Sequence, residues 1–374
     1  MKFIVSSTSL FSHLQAISRV INSKNTLPIL DSFLFDLTGN TLSLTASDNE
    51  TTMITSLEVI ESEGNCRFAI TSKTILDALK EIPEQPLSFD FNPSTLEIIV
   101  QYMNGRYSVV AQNADEYPLP VELGENAVHV EIEASTLSGG INRALFATGD
   151  DELRPVMNGL YFDINTDSIT MVASDGHKLV RNRNTAAHGT EKAAFILPKK
   201  PATLLKSLLG KEQGNVNVDF DDRNASFTMP GYRMVCRLIE GRYPNYNSVI
   251  PQNNPNKATI DRATLLSALK RVSVFSSQAS SLIKLRLQDN QLVISAQDID
   301  FSTSAEESIS CAYNGAPMSI GFKATFLIDM LGNLSGQDIV IELADPSRAG
   351  VLVPAEQEEN EDLLMLLMPM MLND

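Results

Sequence analysis

One period runs through this chain, and it limits the fold more than any single motif. The stretch 42-LSLTASDNE-50 returns as 170-TMVASDGHKLV-180 and again as 292-LVISAQDID-300. In each, alternating apolar residues lead to an aspartate, Asp48, Asp175 or Asp298, at a break in the run, which reads as a strand delivered into a tight turn. Asp48 and Asp175 are 127 residues apart, Asp175 and Asp298 123. Three further kinds of segment keep nearly the same step. They are the apolar-periodic runs 9–24, 134–148 and 261–276; the strand-then-helix runs 68–82, 195–209 and 320–334; and the pair 103–118 and 229–244. Four elements in register at one period predict three similar units.

The runs 9–24, 134–148 and 261–276 are amphipathic helices. Leu10, Leu14, Ile17 and Ile21 follow helical spacing in the first, Leu137, Ile141 and Ala144 in the second, and Leu265, Leu269 and Val272 in the third. Gly139 and Gly140 weaken the second by about 1 kcal/mol each relative to alanine. Short alternating runs such as Ser32–Leu37, Leu57–Ile60 and Ile98–Val100 read as strands. The fold class is therefore α+β, three similar domains of two helices on antiparallel sheets. Stretches 117–128 and 244–258, rich in Pro, Asn and Gly, read as linkers, giving domains 1–120, 126–250 and 255–374. Residues 356–362 read as a solvated acidic hairpin tip. The run Leu363–Leu372 reads as a buried edge strand with Leu364 and Leu366 packed inward and Met368 to Met370 exposed.

Charge distribution narrows the function. Net charge is −17 over 374 residues, yet the six helical segments together carry +9 and everything else −26. The cations include Arg19, Lys24, Lys73, Lys80, Arg143, Lys199, Lys200, Lys206, Lys211, Lys270 and Arg271. Gathered on one surface, they would hold a phosphate backbone by diffuse attraction and read no sequence. The chain has no Trp and no interleaved aromatic run, which favours duplex over single strand. No apolar run approaches the ~20 residues of a membrane span. Together with an N-terminus that alternates like a strand, this makes the expected location cytoplasmic. Cys66, Cys236 and Cys311 are odd in number and far apart, so they read as buried thiols rather than zinc ligands or disulfides. No nucleophile, metal or phosphate-cradle signature is present, and no cofactor is expected. Asp175-Gly176 is a turn dipeptide whose repeats lack the histidine. Two rivals remain: a carboxylate-dependent hydrolase on a triplicated scaffold, and a protein-only adaptor.

The residues resemble one family closely. MKF at the start, 26-TLPIL-30, 42-LSLTASD-48, 158-NGLYF-162, 172-VASDGHKL-179, 241-GRYPNY-246, 320-IGF-322 and 368-MPM-370 are similar to the bacterial replicative sliding clamp, the beta subunit of DNA polymerase III. The resemblance implies a non-enzymatic processivity factor, a head-to-tail homodimer closing a ring around duplex DNA. It implies partners in the replicative polymerase, the clamp loader and other proteins carrying a clamp-binding peptide. Positions matching the peptide pocket are Arg154, Met157, Ser174, Gly176, His177, Lys178, Leu179, Pro244, Val249, Met368, Pro369 and Met370. DNA contacts are expected among Lys24, Lys73, Lys80, Arg143, Lys199, Lys200, Lys206 and Arg271. The dimer contact is expected to set Tyr107 and Val109 against Val274 and Phe275, with Arg106 and Lys73 near Glu306 and Glu307. Ser248 and Met371 stand where the family often has arginines, which implies a more apolar pocket. Pro155 and Val156 stand where some members have DNA-facing tyrosines.

Overall fold

The computed structural model describes residues 1–210 and 212–372, so Lys211 and the last two residues lie outside the described residues. Two compact units form, Met1–Ser135 with Leu204–Leu238 and Thr136–Thr203 with Ile239–Asp374. The helices are α1 (Ser7–Ile17), α2 (Ser72–Lys80), α3 (Ala134–Ala144), α4 (Lys199–Leu209), α5 (Arg262–Val272) and α6 (Ala324–Asn333).

The helices form where apolar spacing and capping agree. Ser6 and Asp261 accept backbone N–H bonds from Ser9 and Thr264, closing the first turns of α1 and α5. Leu10, Leu14 and Ile17 of α1 are fully buried, each contributing roughly 1.5–3 kcal/mol. The helical runs stop earlier than their apolar spacing suggests. After Ile17, Ala144 and Val272 the chain tightens into single 3₁₀ turns, which leaves Lys24 in a loop and Val274 and Phe275 on the last of these turns. In α3, Gly140 is explained by packing, because a Cβ there would run into the Met171 sulfur.

In the first unit a five-stranded antiparallel sheet runs in the order Glu61–Glu63, Lys2–Ser6, Pro86–Asn92, Glu97–Tyr102, Gly105–Val110. Phe3 and Phe89 stack across it at 4.7 Å. The unit's eight-stranded sheet has Tyr232–Arg237 hydrogen-bonded to Thr51–Glu58 at its centre, with Val235 opposite Thr52. The second unit repeats the plan. Its eight-stranded sheet has Glu361–Leu367 paired with Lys178–Asn184, Leu366 opposite Leu179, and its four-stranded sheet ends on Thr303–Ser310. Each eight-stranded sheet is thus four strands of one repeat joined to four of the next. The equivalents of the two joining strands in the remaining half-sheets, Gly105–Val110 and Thr303–Ser310, are both edges.

Two expectations need correction. Glu361–Leu367 is an interior strand, flanked by Lys178–Asn184 and Gly350–Pro354, and Leu363, Met365 and Leu367 are buried along with Leu366 while Leu364 is only half-buried. The stretch 244–258 is no free linker. Tyr246 and Ile250 join Tyr243 in a buried cluster, the Tyr246 hydroxyl donates to Asp163 at 2.8 Å, and a strand begins at Asn256. The acidic stretch 356–362 is the exposed hairpin tip expected, joining Gly350–Pro354 to Glu361–Leu367, and two of its carboxylates, Glu358 and Glu361, pair with Arg143.

Candidate functional site

The hairpin joining Ile169–Ser174 to Lys178–Asn184 organises the second unit's candidate site. Gly176 sits at φ +91°, a conformation favouring glycine, and a Cβ there would lie 2.9 Å from an Arg154 guanidinium nitrogen. The Ser174 hydroxyl donates to the Lys178 carbonyl at 2.8 Å and accepts from Gly176 N–H at 3.1 Å. Asp175 Oδ1 accepts from the N–H groups of His177 and Lys178 at 2.8 and 2.9 Å, and its other oxygen pairs with the Lys178 ammonium. Burial alone would raise this carboxyl, but the Lys178 bond and the two backbone donors outweigh it and hold Asp175 below the usual carboxylate range. Its oxygens are occupied by structure, which leaves no free carboxylate for general-base chemistry.

A depressed folded pKa means that the stabilisation is present above the unfolded pKa and disappears as pH falls through the folded value. The Asp175 carboxyl, followed by NMR, should therefore titrate below the ~3.9 of an ordinary aspartate. Asp175→Asn should shrink the acid-linked loss of stability of this hairpin; an Asp175 that titrates at the ordinary value would contradict the arrangement.

The hairpin lies beside an apolar cluster of Val172, Leu179, Ile196, Tyr243, Tyr246, Ile250, Ala349 and Leu366, with Val156 packed against it. Tyr161 and Tyr243 stack at 4.6 Å. Arg154 donates to Asp151 at 2.8 Å and to the Asp175 carbonyl at 3.4 Å, and Met157 N–H bonds to the Arg154 carbonyl. Met368 N–H bonds to the His177 carbonyl and Met370 N–H to the Gly321 carbonyl, each at 2.8 Å, so the 368–370 run is pinned between the hairpin and the strand Met318–Lys323. Pro244 and Val249 are exposed on the segment that carries Tyr243 and Tyr246. Of the expected pocket residues, Met157, Ser174, Lys178 and Leu179 are buried, while Arg154, Gly176, His177 and Met368 are exposed. A cavity of about 780 Å³ includes only Pro369 and Met370 of that set, alongside Gly321, Ser347, Met371 and Leu372.

Sequence reading missed Phe326 and Lys323. The Lys178 and Lys323 ammonium groups stand 4.1 and 4.7 Å from the Phe326 ring, and His177 lies 6.4 Å from it. The repeated run 320–334 contained them, read as a strand leading into a helix with no role for either side chain.

The helix cations divide. Lys24, Lys73, Lys80, Lys199 and Lys206 are exposed and Lys200 is half-buried. Arg143 departs from expectation. Its side chain is 14% exposed and pairs with Glu358 at 2.8 Å and with Glu361, so it holds the acidic stretch rather than offering a charge to phosphate. Arg271 is exposed but bonds Glu307 through two nitrogens, tying one expected DNA contact to one expected dimer contact. At the other expected interface, Arg106 is exposed on the edge strand Gly105–Val110. Burial pushes the Tyr107 hydroxyl up to about 12, and Val274 and Phe275 are exposed.

Comparison with known proteins covers the chain in order. Residues 1–121, 131–245 and 247–371 match the N-terminal, central and C-terminal domains of the DNA polymerase III beta subunit. The beta sliding clamp of Pseudomonas putida is 26% identical over 373 residues, 100% of each chain. That of Synechococcus elongatus is 28% identical over 95% of this chain and 96% of the relative. The crystal structure of the DNA polymerase sliding clamp from Pseudomonas aeruginosa matches at a TM-score of 0.94 and 25% identity, with 100% of both chains covered.

Proposed function

This chain belongs to the DNA polymerase III beta-subunit family, the beta sliding clamps, and from that we propose that two copies close head to tail into a ring around duplex DNA. As a beta sliding clamp it is a processivity factor of DNA polymerase III, an accessory subunit without catalysis of its own. The three domains share an α+β fold built on antiparallel sheets.

One observation carries the ring. Within the chain two repeat-to-repeat junctions are made by strand pairing, and the strands that would make the third are both edges. A second copy supplies both missing partners, and a heterologous contact that closes after two copies leaves no free edge. The register follows from the paired junctions. Val235 opposes Thr52, and Arg237 N–H bonds to Glu50. Carried across the repeat, Ser108 opposes Ser304 of the second copy and Arg106 opposes Glu306, which supports the expected charge pairing.

DNA is held by topology together with diffuse attraction to Lys24, Lys73, Lys80, Lys199, Lys200 and Lys206, with Arg271 shared with Glu307. The anionic remainder discourages binding elsewhere. The cluster around Leu179, Leu366 and Tyr243, rimmed by Arg154, His177 and Met368, is an adaptable apolar seat for short peptides of polymerase, clamp loader and other partners. Ser248 and Met371 make that seat less cationic. A panel of clamp peptides should therefore rank by apolar content, and an arginine-dependent peptide binding undiminished would count against this.

The functional test is retention on DNA. Loaded by a clamp loader, the protein should stay on nicked circular duplex through a high-salt wash and leave when the circle is linearised. Equal retention on linear DNA would mean adhesion rather than encirclement.

A further inference from the structure

The hairpin at the candidate peptide seat has a near-duplicate in the first unit. Asn49, at φ +80°, takes the place of Gly176, and Asn49 N–H bonds to the Ser47 hydroxyl at 3.1 Å as Gly176 N–H does to Ser174. Asp48 accepts from Glu50 and Thr51 N–H at 3.0 and 2.7 Å, as Asp175 does from His177 and Lys178. Arg237 N–H bonds to the Glu50 carbonyl at 2.8 Å, as Met368 N–H does to His177. Pro118 follows Tyr117 as Pro244 follows Tyr243. Six positions of the candidate seat, Ser174, Gly176, His177, Leu179, Pro244 and Met368, therefore correspond to Ser47, Asn49, Glu50, Thr52, Pro118 and Arg237. All six of these line one cavity of about 250 Å³.

We propose that this cavity is a second peptide-docking site, taking an extended segment with an aliphatic side chain beside an acidic one. The proposal rests on the peptide-seat reading above. The lining chemistry names the occupant. Leu119 and Val121, 74% and 51% exposed, and Val235 at the floor offer apolar contact. Arg223 and Arg237 bring two guanidinium groups to the rim of a protein whose net charge is −17, and Glu50, 4.0 Å from Arg237, is the single carboxylate among the lining residues. A space this small admits one or two side chains rather than a cofactor. A glutamate at the rim and apolar walls disfavour phosphate. The first seat has His177 and Met368 where this one has Glu50 and Arg237, so the two sites select different peptides.

The test uses the full chain with ¹³C-labelled leucine, valine and methionine methyl groups. Titration with the blocked peptide Leu-Asp-Leu-Asp-Leu should shift and saturate the methyls of Leu119, Val121 and Val235. The double variant R223A/R237A should weaken that response about tenfold, two part-exposed charge pairs being lost, and Leu-Lys-Leu-Lys-Leu should leave these methyls unmoved. Unmoved methyls with the acidic peptide, an equal response to the lysine peptide, or a stronger one to oligothymidylate would overturn the proposal. Met368 and Met370 methyls report the first seat in the same spectra. Met368 and Met370 responding to an apolar clamp peptide while Leu119 and Val121 stay silent toward the acidic one sinks this proposal alone; Leu119 and Val121 responding to the acidic peptide while Met368 and Met370 stay silent toward the clamp peptide sinks the earlier reading.

Discussion

Ser108→Pro is expected to convert the dimer into folded monomers. Ala111 N–H bonds to the Leu96 carbonyl at 2.7 Å, so alternate residues back along this strand, Val109 and Tyr107, face the neighbouring strand Glu97–Tyr102. Arg106, Ser108 and Val110 therefore point their backbone groups at the open edge. Proline is tolerated on an edge strand when its missing N–H faced solvent, so the isolated chain should keep its fold. In the dimer the same change deletes a bond of the intermolecular ladder and thrusts a ring into it at both junctions, costing about 3 kcal/mol at each, roughly ten-thousandfold in the dissociation constant. Sedimentation should show a monomer with an unaltered far-ultraviolet spectrum. Val109→Pro, which faces inward, should instead damage the sheet. A Ser108→Pro protein that still sediments as a tight dimer would place the interface elsewhere.

Arg143→Ala should strongly destabilise the second unit. Glu361, 9% exposed, would lose its cationic partner and be left with the Asn182 amide, at 2.8 Å. Breaking a part-buried pair by removing one partner costs about 3 kcal/mol, more than a surface bridge would. Amide exchange along Glu361–Leu367 should then accelerate by roughly a hundredfold. The Arg143 hydrogen bond, with one from Ser335, holds the Glu358 carboxyl below its usual range. Its share of the stability is accordingly present above the unfolded pKa and is lost as pH falls through the lower folded value. The gap between wild type and Arg143→Ala should narrow in acid. Exchange unchanged at neutral pH would show that the acidic stretch is held by other means.

The period was the most legible feature because it is written three times. Asp48, Asp175 and Asp298 each cap their turn through side-chain oxygens, so chemistry and spacing repeat together. Pairing across repeats was not legible. Nothing in Tyr232–Arg237 alone announces Thr51–Glu58 as its neighbour, since strand partners are set by packing rather than by local propensity. The same gap explains why Leu363–Leu372 read as an edge. Charge counting found the cationic helices but could not see that Arg143 is already neutralised, because Glu358 and Glu361 lie more than two hundred residues away in sequence. Phe326 stood out from nothing else in the strand-then-helix run 320–334, and only the folded chain brings the Lys178 and Lys323 ammonium groups to its ring.

Closure of two copies through the unpaired strands can be tested by covalent capture. In the register carried over from the paired junctions, Val109 of one copy opposes Thr303 of the other as a pair without backbone bonds between them. Their Cα atoms would be about 4.5 Å apart, within disulfide reach. Cys66, Cys236 and Cys311 are buried and should not compete. The double variant V109C/T303C, oxidised and separated without reductant, should give a single product, a dimer closed by two bonds that stays on circular duplex through denaturing salt. A ladder of open chains, or no cross-link at all, would contradict the ring.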